Sequence, residues 1–311
     1  MVTRSPRVSR DFRTAPVASR PRMSTCGDPS PTRIVRSTSP RVPSSATTMP
    51  RDARCRHFSM KASCSKSSMK RRYDTGVALR SVLLDIGDTI VEGWPPRERV
   101  NELTREALVR AFGEREWYDA FVSAEFGPAE GAEAHRQETN RWVEEWFVNS
   151  GYGLDDVPVD RLRSAGSVPL DLVGRLVPGA ADALRWSKSR GLVVGLVTNT
   201  LWRGDDEVWE DLRRFGLHEA VDHVVSSHSV GWQKPHEAIF QRALDLSRVP
   251  AADAVMVGDR MVQDVWGAKR LGMRAVWRRP LAGAPQEPVD VEPDAVIDDL
   301  TELPAVLERW M

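Results

Sequence analysis

The sequence predicts an α/β fold: a three-layer, Rossmann-like parallel sheet core with an inserted all-helical cap domain. Three observations carry this. From residue 178 onward, short apolar runs alternate with helical patterns, and strands joined through helices must cross over and run parallel. One more run of the strand type, Val82-Leu83-Leu84, stands apart near residue 80. The residues between it and 178 show helical spacing of their apolar positions.

Residues 1–75 are rich in Arg, Ser, Pro and Thr and hold 17 Lys/Arg against 4 Asp/Glu, whereas the remainder holds 27 against 40. Apolar residues in this leader are scattered without period. Such a stretch buries too little surface to offset its ordering entropy, so it is expected to be disordered. It reads as a transit peptide, a basic arm or a linker. It also reads as residues upstream of a true translation start at Met60 or Met69. The acidic body argues against a nucleic-acid partner, which needs a basic face. All three cysteines, Cys26, Cys55 and Cys64, lie in the leader. The body is left without a thiol nucleophile, a thiolate zinc site or a disulfide, which is compatible with a cytoplasmic setting. No apolar run approaches the ~18 residues of a membrane span.

The body divides into a core, residues 76–93 plus 178–311, and a helical cap, residues 94–177. Helices are expected over 97–126, where Leu103, Ala107, Leu108, Ala111 and Phe112 recur at helical spacing, and over 129–149, where Trp142, Trp146 and Phe147 form an aromatic stripe for packing. A helix from 178 to Arg190 stops at Gly191. Then follow a strand over 192–198, a helix over 206–215, a strand over 221–226 and a helix over 235–246. A strand over 254–259 leads into a helix reaching Leu271. Strands over 274–277 and 295–297 and a helix over 303–310 close the pattern.

Polar residues stand where these strands end: Asp85, Thr198-Asn199, Lys234-Pro235 and Gly258-Asp259, with Asp264 five residues on. In a parallel sheet such ends converge on one edge, where ligands bind. Clustered carboxylates repel unless a cation is present, and oxygen ligands suit Mg²⁺. A carboxylate can also attack a phosphoryl group. A lysine, a threonine hydroxyl and a metal ion then balance the charge of the transferred group.

The ordered set Asp85-x-x-x-Thr89, Thr198-Asn199, Lys234-Pro235 and Gly258-Asp259-x-x-x-x-Asp264 resembles the haloacid dehalogenase superfamily over about residues 80–300. The insertion's place after the first motif matches that family's C1-type helical cap. The resemblance implies a Mg²⁺-dependent phosphatase acting on small phosphorylated metabolites through an aspartyl phosphate. Asp85 is then nucleophile and metal ligand, and Gly87 offers its carbonyl to the metal. Thr198 and Lys234 bind the phosphoryl group, with Asn199 shaping the loop. Asp259 and Asp264 complete the metal site, Asp264 holding it in place.

One departure stands out. The family's phosphatases usually carry a second Asp two residues after the nucleophile as general acid and base, and here that residue is Gly87. Positioned acid–base groups are worth about 10²–10⁴-fold. Three readings stay open: Asp88 serves instead, substrates have good leaving groups or turn over slowly, or the chain binds phosphorylated ligands or regulates without much catalysis. A 2-haloacid dehalogenase-like reaction is a fourth. That branch works without Mg²⁺, so the pair Asp259 and Asp264 favours a metal-dependent phosphoryl site. Where Trp94, Pro95, Pro96 and Arg97 enter the cap and Trp202-Arg203 follows the second motif, Arg97 or Arg203 is a candidate to meet an anionic substrate and Trp202 to stack on it, against hinge packing and surface charge.

Overall fold

The computed structural model describes residues 78–127, 133–154, 157–280 and 289–311. The basic leader and its three cysteines lie outside the described residues. In chain order the strands are β1 (Ser81–Leu84), β2 (Val91–Glu92), β3 (Arg175–Leu176), β4 (Val193–Thr198), β5 (His223–Ser226), β6 (Ala254–Gly258), β7 (Arg274–Arg278) and β8 (Ala295–Ile297). Six of them form one parallel sheet in the order β5-β4-β1-β6-β7-β8. The middle strand, β1, is buried along its whole length, which is why it reads as an unbroken apolar run rather than an alternation.

The period of two along each strand builds the three layers. Val82 and Leu84, with Val194, Leu196, Val255 and Val257, belong to one hydrophobic cluster. Leu83, with Val197, Ala254 and Met256, belongs to the other. Against the first face pack α6 (Ala180–Ser189), α7 (Asp205–Arg214) and α11 (Leu303–Glu308). Against the second pack α9 (Glu237–Ser247), through Ile239, Phe240, Ala243 and Leu244, and α10 (Gly267–Arg270), through Ala268. A short α8 (Ser227–Val230) follows β5.

Strands β2 and β3 pair antiparallel as a two-residue stem. Between them lie α1 (Arg97–Phe112), α2 (Tyr118–Ser123), α3 (Thr139–Ser150), α4 (Val159–Gly166) and α5 (Leu170–Val173). This insertion has its own core, centred on Leu108, Trp117, Tyr118, Phe121, Phe147 and Leu162. Trp146 and Phe147 of the aromatic stripe pack there, with Phe121 ringed by Trp117, Trp146 and Phe147 at 5.1–5.7 Å between centroids. The expected boundaries at 93 and 178 fall beside the stem, which is too short to leave a periodic trace in sequence. No described helix is long and apolar enough to cross a membrane.

Three expectations need correction. The helix over 97–126 breaks at Gly113, whose φ of 75° ends α1 in the left-handed region open to glycine. Of the helix expected over 129–149, residues 129–132 lie outside the described residues, and among 133–149 the helix begins only at Thr139, because Arg136 pairs as a β-bridge with Trp232 instead. The helix after β6 opens as a π-helical turn, Met261–Trp266, before α10.

Candidate active site

The direction of the sheet's crossovers reverses between β1 and β6, where ligand crevices form in such sheets. Asp85 and Asp259 are the residues that follow these two strands. With Thr198, Lys234 and Asp264 they line a cavity of about 310 Å³, whose wall also includes Gly87, Asp88 and Asn199.

Lys234 is the hub. Its Nζ donates to Asp85 Oδ1 and to Asp264 Oδ1, each at 2.7 Å, and its side chain is 2% exposed. Burial alone would lower its pKa, but the carboxylates of Asp264 and Asp85 more than reverse this and hold it above the ordinary lysine value. Asn199 fixes the backbone that carries it. The Asn199 Oδ1 accepts from Lys234 N at 2.7 Å, and its Nδ2 donates to Lys234 O at 3.0 Å.

Asp264 reaches this hub because Gly258 leaves room. A Cβ at Gly258 would stand 2.2 Å from Asp264 Cγ, so a larger residue would expel the carboxylate. The π-helical turn sets the angle, with both Asp264 N and Val265 N donating to Arg260 O. Such turns recur at functional sites. The second Asp264 oxygen accepts from Arg260 N at 3.0 Å, so both its oxygens are engaged.

Asp259 is the least compensated group. Its Oδ2 is buried without a hydrogen-bond partner among the described residues, although Arg260 Nε lies 3.4 Å away at ion-pair range. Burial, reinforced by Asp85 and Asp264, pushes its carboxyl up to about 7. Burial and the Asp85 charge also raise Asp264, against the pull of Lys234. Asp85, Asp259 and Asp264 each offer an oxygen within 4.8 Å of the others. A hard divalent cation fits this oxygen set, because it would engage the Asp259 oxygen that no hydrogen bond satisfies and offset the mutual repulsion of the three carboxylates.

Asp88 sits beside this group in the left-handed region, at φ 50°, which Asp tolerates better than most residues. Its Oδ1 accepts from Trp94 Nε1 at 2.9 Å, and its carbonyl accepts from Arg278 Nη1 at 2.7 Å. At Gly87 an added Cβ would meet only Trp94 Cζ2, at 3.9 Å, so the place of a side chain there is open.

The family model for haloacid dehalogenase-like hydrolases matches residues 79–272. The chain belongs to this family. The glyceraldehyde 3-phosphate phosphatase of Methanocaldococcus jannaschii is 35% identical over 243 residues, which cover 74% of this chain and 98% of that protein. The phosphoserine phosphatase of Thermus thermophilus is 31% identical over 249 residues, covering 72% and 98%. The glyceraldehyde 3-phosphate phosphatase of Pyrococcus furiosus is 38% identical over 139 residues, so that match spans only 55% of the relative's length. Among solved structures, a 2-haloacid dehalogenase from Pseudomonas syringae shares the fold at 23% identity, with a TM-score of 0.53 over 75% of this chain and all of that one.

In this haloacid dehalogenase-like hydrolase, Asp85, Thr198, Lys234, Asp259 and Asp264 line one cavity, whereas Arg97, Trp202 and Arg203 at the cap entrance are engaged elsewhere. Arg203 Nε donates to Asp211 Oδ2 at 3.0 Å and its Nη2 to Val168 O. Arg97 bonds Glu125 and the carbonyls of Ser123 and Ala124. Trp202 packs on Phe121 and Phe126. None of the three lines the cavity. Two cavity residues, Arg260 and Gln263, were not anticipated. Their only sequence signal is adjacency to Asp259 and Asp264, and the π-helical turn that aims them leaves no local mark.

Proposed function

We propose that this chain is a Mg²⁺-dependent phosphatase that hydrolyses small phosphorylated metabolites through a phosphorylated Asp85. The observation that carries the reading is Lys234 bridging Asp85 and Asp264 beside an Asp259 oxygen that is buried without a hydrogen bond among the described residues. An Asp85 oxygen attacks phosphorus as the bond to the leaving oxygen breaks. Water then attacks the acyl phosphate, releasing inorganic phosphate and restoring Asp85. The Lys234 ammonium and the Thr198 hydroxyl donate to the phosphoryl oxygens, and Asn199 holds the loop between them. Asp85, the Gly87 carbonyl and Asp259 would hold Mg²⁺, with Asp264 orienting the group from behind. When bound, the ion offsets the negative charge of nucleophile and substrate.

With Gly87 in place of an acid, the leaving oxygen departs as an anion. Acyl and aryl phosphates are then the preferred substrates. One observation supports a second reading for the protonation step. The named substrates of the two full-length relatives are alkyl phosphates, whose leaving groups need a proton, and Asp88 lines the same cavity. In that reading Asp88 is the acid and base, released in part from Trp94 when substrate binds.

The purified chain with Mg²⁺ should release phosphate from p-nitrophenyl phosphate, and Asp85→Asn or EDTA should abolish this. Turnover that survives either treatment would sink the proposal. Stabilisation by phosphate without any turnover would favour a binding protein instead.

A further inference from the structure

We infer that Gln137 and Thr139, which belong to the helical insertion, are positioning residues for the two phosphate-binding loops of the core. The inference rests on the phosphatase reading only for its catalytic consequence.

The geometry is a closed ring of hydrogen bonds. Arg136 forms an antiparallel β-bridge with Trp232, two residues before Lys234. Gln137 N donates to Gly231 O at 3.0 Å, and Gln233 N to His135 O at 2.8 Å. The Gln137 side chain then works in both directions. Its Oε1 accepts from Gln233 Nε2, and its Nε2 donates to Thr139 Oγ1 at 2.6 Å. Thr139 Oγ1 in turn donates to Leu201 O at 3.0 Å, on the loop that begins at Thr198. Asn199 closes the ring through its two bonds to the Lys234 backbone.

Gln137 is 4% and Thr139 1% exposed. Buried polar side chains left unpaired are costly, so every member of the ring depends on the others. The bridge is covered by a stack in which the Arg136 guanidinium lies 4.8 Å from the Trp232 ring centre and Trp232 lies 3.9 Å from His236, nearly parallel. The insertion also meets the core at the β2–β3 stem and through contacts such as Leu170 N to Asp211 Oδ1 at 2.8 Å and Arg203 Nη2 to Val168 O. Among these attachments, the ring is the one that ties the segment carrying Lys234 to the segment carrying Thr198. Loosening the ring therefore frees both phosphate-binding groups together.

The test compares the full chain with Gln137→Leu, Thr139→Val and Thr139→Ser. The first two remove ring bonds with little change of volume, and the third keeps the hydroxyl. Hydrogen exchange read by mass spectrometry should quicken about tenfold in the peptides around 198–203 and 231–236 for the first two, in line with the loss of a net hydrogen bond. Thr139→Ser should stay near the parent. On p-nitrophenyl phosphate, kcat should fall about ten- to a hundredfold in the first two with KM within about threefold, as expected of misplaced catalytic groups. Unchanged exchange in those peptides, or faster exchange spread evenly over the sheet, overturns the inference. So does faster local exchange with an unchanged kcat. If the parent chain releases no phosphate, the phosphatase reading fails by itself, and the exchange pattern still decides whether the ring holds the loops.

Discussion

Gly87→Asp is the substitution that most directly tests the chemistry. The site accepts it, since a Cβ at position 87 meets a single atom, Trp94 Cζ2, at 3.9 Å, an ordinary contact. The new carboxylate would stand near Asp85, Asp88 and Asp259, and repulsion among them favours a proton on it, which suits an acid. General acid catalysis contributes about 10²–10⁴-fold, or roughly 3–5 kcal/mol of barrier. No existing hydrogen bond would orient the new group, so the gain belongs at the low end, about 10²-fold in kcat/KM. It should appear with glycerol phosphate, whose alkoxide leaves badly. With p-nitrophenyl phosphate or acetyl phosphate, the change should stay within about threefold, because those groups leave unprotonated. The assay is steady-state phosphate release across a series of leaving groups, read as the slope of log kcat/KM against leaving-group pKa. The parent should show a steep slope and the variant a shallow one. An equal gain on every substrate, or none on alkyl phosphates, refutes the account of Gly87. A parent slope that is already shallow, and that Asp88→Asn steepens, moves the acid role to Asp88.

The remaining predictions concern charge. Because the Asp259 carboxyl is raised to about 7, the folded chain without metal holds a proton that the unfolded chain releases between about pH 4 and pH 7. Its stability therefore falls as pH rises through that window. Thermal unfolding with and without Mg²⁺ should show metal stabilisation growing from pH 5 to pH 8, and equal stabilisation at both would contradict it. His223 has the opposite sign. Burial lowers its pKa, outweighing Asp222, so its contribution is present above the ordinary imidazole range and is lost as pH falls below it. His223→Gln should flatten the acid limb of a denaturation series. Arg278, 1% exposed, pairs with the buried Glu92 at 3.0 Å. Among the described residues, Arg278→Met leaves Glu92 with only the largely exposed Arg175 at 3.3 Å and should cost about 3 kcal/mol in urea denaturation. Removing both charges with Arg278→Met and Glu92→Leu together should recover most of this, and a loss below about 1 kcal/mol in the single variant would show the pair to be weak.

What the sequence discloses here depends on whether a signal is local. The strands of the sheet were readable because burial on both faces forces continuous apolar runs, and β8 falls on Ala295–Ile297 as expected. Asp85, Thr198 and Asp259 were readable because the chain must turn polar where a buried strand emerges. Gly113 was not seen as a break, since an interior glycine costs a helix only about 1 kcal/mol and the apolar spacing continued past it. Residues 133–138 read as helix in sequence because the segment that diverts them, around Trp232, lies far along the chain. Likewise, nothing near Asp264 announces a π-helical turn, and nothing near Gln137 announces a partner at Gln233. The division is physical. Of the groups proposed to touch substrate, Asp85 and Thr198 lie at strand ends and declare themselves by residue type, whereas Lys234 lies beyond α8. The groups that aim them, namely the amide of Asn199, the missing Cβ of Gly258 and the insertion's Gln137, act through contacts between distant segments. Of these, Gln137 lies outside every motif, so a chain could keep every motif residue and still lose its geometry through a change there. For the same reason, Gly87 is the departure that sequence alone could expose, because there the missing group belongs to the motif itself.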